Sequence, residues 1–181
     1  MRSRLLDAAL TVLQRDGAAA LTVRNITDEA GCSTTGIYTH FGGKNGLVEA
    51  ILLDGFQSFD EALAPAYEAD DLLAAGRAYR RWALANPTHY LVMFGRAVPD
   101  FVPSEAALVR AYESFDSLVR VVARRGVADP EAGAYHLYAT VHGYVMLELV
   151  DMGPVDPARL DELYDAGIAL VMDGLSATGP G

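Results

Sequence analysis

The chain has 181 residues, of which 51% are apolar and 21% charged, and it carries a formal net charge of −10. This balance fits a globular protein with a sizeable core and excludes a disordered or fibrous chain. Its single cysteine, Cys32, excludes an intrachain disulfide and a thiolate metal cluster, and no apolar run approaches the length of a membrane span.

Charge is unevenly spread. Residues 1–48 hold five basic side chains (Arg2, Arg4, Arg15, Arg24 and Lys44) against four acidic ones (Asp7, Asp16, Asp28 and Glu29), so the acidic excess belongs to the remainder. An acidic body repels nucleic acid, which confines any such contact to the front of the chain. The opening stretch reads as a helix of the mature protein, because Asp7, Gln14, Arg15 and Asp16 interrupt its apolar stripe and no small-residue cleavage site follows. A cytoplasmic location is expected. Only Met1, Arg2 and Ser3 precede Arg4, a short lead from which low nonspecific DNA affinity is expected.

Apolar residues recur with a 3.6-residue period throughout, and two-residue alternation never persists, so the chain is expected to be all-helical. Leu5, Leu6, Ala9, Leu10 and Leu13 form the first stripe, ended by Asp16-Gly17. Thr22 is placed to cap a short second helix that runs to Ala30 and stops at Gly31. Ser33 or Thr34 opens a third, to about His40, with Ile37 and Phe41 pointing inward. Gly42-Gly43 then break the chain before a longer helix from Lys44 to Ala64, which Pro65 is expected to close. Asn86-Pro87, Asp129-Pro130 and Asp156-Pro157 each set a capping side chain before a proline, and Ser104 follows Pro103. Helices are therefore predicted near 71–85, 87–95, 104–125, 130–150 and 157–175, ahead of a loose tail.

Residues 22–41 read as helix, tight turn and helix, the helix-turn-helix arrangement. Ser33, Thr34, Thr35, Gly36 and Thr39 give the second of these helices small or hydroxyl-bearing surfaces, which lets it sink into a major groove. Tyr38 and His40 can donate to the flanking backbone, and Lys44 is a further phosphate partner.

The stretch "LLDAALTVLQRDGAAALTVRNITDEAGCSTTGIYTHFGGKNGLVEAIL" resembles the DNA-binding domain of the TetR family of bacterial transcriptional regulators. The resemblance lies in Gly17, Leu21-Thr22-Val23-Arg24, Ile26, Ala30-Gly31, Ser33, Gly36, Ile37-Tyr38, His40-Phe41, Lys44 and Leu47. It implies that Thr22 binds phosphate, that Arg24 reaches a base or phosphate, and that Thr34, Thr35 and Gly36 face the groove. Tyr38, His40 and Lys44 would then anchor the backbone. An arginine can pair bidentately with guanine, although Arg24 could instead pair with Asp28 one turn on. Thr27, Cys32 and Gly43-Lys44-Asn45 depart from the family's usual residues. Further on, "LYATVHGYVMLEL" is similar to a subgroup with a Trp-His-Gly signature, with Tyr138 at the Trp position before His142 and Gly143.

These readings divide the chain into a DNA-binding domain at 1–47, a ligand-binding and dimerisation domain at 48–176, and a tail at 177–181. Tyr79, Trp82, Tyr90, Met93, Phe94, Tyr112, Tyr138, His142 and Met146 are candidates to line a pocket for an apolar or aromatic small molecule, or else form ordinary core. Leu137, Val141, Val145 and Leu149, with Leu160, Leu163, Ile168 and Val171, present more apolar surface than one helix pair can hide, so they are expected at a homodimer interface. A ligand-responsive regulator, acting as a repressor on palindromic double-stranded DNA, is the expected function; a helical adaptor that no longer touches DNA is the alternative. No catalytic motif occurs, so no enzyme activity, cofactor or metal is expected.

Overall fold

The computed structural model describes residues 1–151 and 155–177. Among these residues nine α-helices follow one another without a strand: α1 (Arg2–Asp16), α2 (Val23–Ala30), α3 (Thr35–Phe41), α4 (Lys44–Glu68), α5 (Leu72–Ala85), α6 (Pro87–Phe94), α7 (Glu105–Ala123), α8 (Pro130–Leu149) and α9 (Leu160–Ala177). Single 3₁₀ turns, Ala18–Ala20 and Pro157–Arg159, precede α2 and α9. The expected tail beyond Ala177 lies outside the described residues.

The punctuation works largely through the expected chemistry. Thr22 accepts a hydrogen bond from the amide of Asn25, and Gly31 ends α2 in the left-handed conformation at φ 60°. Asp129 caps α8 by accepting from Ala132, and Asp156 accepts from Ala158. Asn86 makes no such cap bond, so α6 begins on the strength of Pro87 alone. Pro65 does not close α4, contrary to expectation. It lies on the exposed side of the helix, where a missing N–H costs least, and the bond from Ala69 N to its carbonyl carries the chain on. The reversal comes instead at Asp70, which takes φ 55°.

The described chain groups into two compact units, with α4 and α7 each contributing to both. The first comprises Met1–Ser58 and Asn86–Ala111, so α6 and the start of α7 fold together with the first three helices. Leu5, Val12, Leu21, Ile26, Ile37, Leu47 and Ile51 are fully enclosed there, and Val92 and Val98 join the same core. Each such side chain contributes roughly 1.5–3 kcal/mol by leaving water. Gly46 is set so tightly against the end of α3 that a Cβ would fall 1.9 Å from the Phe41 carbonyl oxygen. Glu49 of α4 accepts both the amide and the hydroxyl of Ser104, at 2.8 and 2.9 Å, while the Ser104 hydroxyl caps α7.

The second unit comprises Phe59–Ala85 and the chain from Tyr112. Here α5 packs on both α8 and α9. Gly76 leaves a notch that Ile168 fills, and Tyr164 donates to the Gly76 carbonyl at 2.6 Å. Arg80 closes the arrangement with two bonds to Glu148 (2.7 and 2.9 Å), one to Asp161 (2.6 Å), and its guanidinium over the Tyr164 ring.

This third helix corrects the interface expectation. Leu137, Val141, Val145 and Ile168 are buried within one chain, because α5 covers the face that two helices could not hide. Leu149, Leu160, Leu163 and Val171 remain half-buried, whereas the outer surfaces of α8 and α9 expose Tyr135, Leu147 and Leu170, the last at 73%.

Candidate nucleic-acid interface

Helices α2 and α3 are joined by the four residues Gly31 to Thr34, with Gly31 making the left-handed turn. Ile37 is fully buried and pins α3 to the core, which turns its polar side outward. Ser33, Thr34, Thr35, Tyr38, Thr39 and His40 are all exposed. An exposed tyrosine, 60% accessible on a seven-residue helix, contributes little to packing and leaves its O–H available to an external acceptor. Lys44, at the first turn of α4, is half-buried.

Gly36 is half-buried against α1. A Cβ there would meet Leu5 of α1 at 3.5 Å, an ordinary contact, so the packing of α1 on α3 would admit a small side chain at this position. Thr22 Oγ is occupied as an acceptor by the Asn25 amide, yet its own proton remains to donate. Arg24 and Asp28 approach to 3.8 Å, with the arginine 88% exposed, a loose surface pair that leaves the guanidinium available. Arg2, which the residue pattern does not single out, lies with its guanidinium carbon 5.3 Å from the Phe41 ring centre. Nothing in the spacing of residues 2 and 41 announces that contact; it follows from the packing of α1 against α3.

The aromatic candidates divide between the units. Tyr90 and Phe94 stack edge to face in the first, Phe94 against Phe56 as well, and Met93 lies where a side chain at Gly55 would collide with it. In the second, Phe59 meets Tyr79 and Trp82, Tyr79 Oη lies 3.3 Å from His142 Nδ1, and Tyr138 packs against His142 and Phe115. Met146 is half-buried on the same helix. Tyr112 is 72% exposed and encloses nothing within its unit, a correction to its place among pocket residues. Burial lowers the His142 pKa and, with a smaller push from Tyr135, raises that of the Tyr138 phenol. Glu148 is held by Arg80, so it offers His142 no acid–base partner. Among the described residues no group of three His, Cys, Asp or Glu side chains could hold a metal ion, and no helix is long and apolar enough to cross a membrane.

Residues 5–51 match the family model described as bacterial regulatory proteins, tetR family, and residues 72–171 match that of the tetracyclin repressor-like C-terminal domain. The chain belongs to the TetR family. This TetR-family assignment places α2 and α3 within the matched N-terminal regulatory-protein domain and α5 to α8 within the matched C-terminal domain. The resemblance of its α8 to the Trp-His-Gly subgroup stays a resemblance, since neither model's description names that subgroup.

Among relatives, the HTH-type transcriptional regulator Rv1816 of Mycobacterium tuberculosis is 25% identical over 109 residues, 56% of this chain and 46% of that protein. The chain therefore spans less than half the length of this curated relative. Two solved structures share the fold. A protein of unknown function from Rhodococcus sp. RHA1 is 28% identical with a TM-score of 0.81, covering 97% of this chain and 95% of that one. The TetR-family transcriptional regulator PfmR from Thermus thermophilus is 21% identical with a TM-score of 0.71, covering 95% and 98%.

Proposed function

We propose that this regulator is a homodimeric repressor that reads a palindromic operator with α2 and α3 of each copy and is released by a small apolar or aromatic effector. In this reading residues 1–47 form the DNA-binding domain and 48–176 the ligand-binding and dimerisation domain. The observation that carries it is the division of α3 into a buried anchor, Ile37, and an outward row of Thr35, Tyr38 and Thr39. Such a helix is fixed by its core and free to meet a groove. Arg24 supplies direct readout, Thr22, Tyr38, His40 and Lys44 hold phosphates, and Ser33, Thr34 and Thr39 line the approach.

The exposed apolar side chains of α8 and α9, Leu147 and Leu170 among them, support association with a second copy. The Tyr79–His142–Tyr138 cluster supports the effector reading: aromatic, with Tyr79 buried and the other two half-buried, and with imidazole and phenol groups able to orient a ligand. Release follows from population shift, in that the effector favours a body conformation whose recognition helices no longer fit adjacent grooves.

Selection of bound sequences from a random duplex pool tests this. We expect an enriched palindrome, with Arg24→Ala relaxing preference at one base pair per half-site by about 1–3 kcal/mol while leaving stability unchanged. Enrichment of a single half-site would remove the dimer, and no enrichment at any salt concentration would favour the helical adaptor.

A further inference from the structure

From the position of Arg2 on Phe41, we propose that Arg2 is a DNA-phosphate contact and that Phe41 is its positioning residue, a pair resting on the DNA-binding role of this domain. A long cationic side chain at the start of a helix ordinarily samples many rotamers, and fixing it for one contact costs entropy at the moment of binding. Here the ring of Phe41 holds the guanidinium 5.3 Å from its centre before DNA arrives.

The place of this pairing gives it a role. Phe41 is the last residue of α3, one helical turn beyond exposed Tyr38, next to exposed His40 and three residues before Lys44. The C-terminal end of a helix carries partial negative charge, which also favours a cation there. Arg2 itself is exposed, and among the described residues its guanidinium makes no ion pair with a carboxylate. Arg15, at the other end of α1, is by contrast held by Asp16 and Glu29 at 2.8 and 2.9 Å, and both its location and its pairing take it out of play. Of the arginines in the front segment, Arg2 is the one that the packing of α1 on α3 delivers to the end of the recognition helix. A stacked guanidinium keeps its N–H edges directed outward, where they can meet a phosphate oxygen.

The test measures affinity of the full chain for one fixed duplex, taken from the selection above, as a function of salt. Each phosphate contact adds roughly 0.9 to the slope of log affinity against log salt. Arg2→Ala should lower the slope by about that amount, so that wild type loses ~3.5-fold more affinity than the variant between about 50 and 200 mM salt. The base preference should be unchanged. Phe41→Leu, which keeps an apolar side chain of similar size, should weaken binding in the wild-type background but not in the Arg2→Ala background, because its effect runs through Arg2. Thermal melting of each variant accompanies the measurement, and Arg2→Lys should restore the slope but only part of the affinity.

An unchanged slope in Arg2→Ala, with wild-type binding intact, overturns the contact alone. Additive losses for Arg2→Ala and Phe41→Leu overturn the positioning role. A wild type that binds no duplex removes the DNA reading and this contact with it.

Discussion

Removing Arg80 isolates the energetics of the second unit in one substitution. Its side chain is 17% exposed and its partner Glu148 only 12%, whereas Asp161 is 87% exposed. Arg80→Ala would strand the Glu148 carboxylate in a poorly hydrated site between helices. Breaking such a pair from one side costs about 3–5 kcal/mol, most of it the uncompensated charge. Asp161→Ala removes a bond to a solvated carboxylate and should cost no more than about 1 kcal/mol. With a urea dependence of about 2 kcal/mol per M, Arg80→Ala should lower the unfolding midpoint by roughly 1.5–2.5 M, followed by circular dichroism at one fixed protein concentration. The double variant Arg80→Met, Glu148→Met should recover most of that loss, since two well-packed apolar chains replace two desolvated ions. Equal midpoints for Arg80→Ala and Asp161→Ala, or a double variant no better than Arg80→Ala, would refute the argument.

Other positions give separable outcomes. Thr22→Asp preserves the α2 cap but places a carboxylate where a phosphate should come, so melting temperature should hold while DNA affinity falls; Thr22→Ala should lose about 1 kcal/mol of stability as well. Gly46→Ala drives a Cβ into the Phe41 carbonyl, and since backbone cannot step aside as a side-chain tip can, we expect at least the 1–3 kcal/mol typical of overpacking and impaired operator binding in gel-shift assays. His142 has its pKa lowered by burial from an ordinary 6.5, so the unfolded chain takes up the proton first as pH falls. Stability present above about pH 6.5 should therefore decline on acidification, and His142→Gln should flatten that decline in pH-dependent melting curves.

Helix boundaries were legible because they rest on local chemistry. Thr22, Gly31, Ser104, Asp129 and Asp156 act within three residues of themselves, and the family's helix-turn-helix spacing is equally local. Pro65 misled because a proline on an exposed helix face breaks less than its reputation implies. Burial was harder to read. A stripe such as Leu137-Val141-Val145 declares an apolar contact without naming the partner, and only the arrival of α5, some 60 residues earlier in sequence, decides that the contact is internal. Arg80 with Glu148 and Arg2 with Phe41 join residues whose separation carries no pattern at all.

The first unit is not one continuous stretch of chain. Val92 and Val98 belong to its core, and Glu49 finds its two donors on Ser104, so a nascent chain that has emerged only as far as Ser58 still lacks part of its own interior. At a synthesis rate of about 5–20 residues per second, the wait for residue 111 lasts roughly 3–10 s. During that interval the apolar flank of α4 around Leu52 and Phe56 is open to chaperones and to other unfinished chains. A chain assembled this way completes the unit that holds its helix-turn-helix only after the ribosome has begun the body that follows.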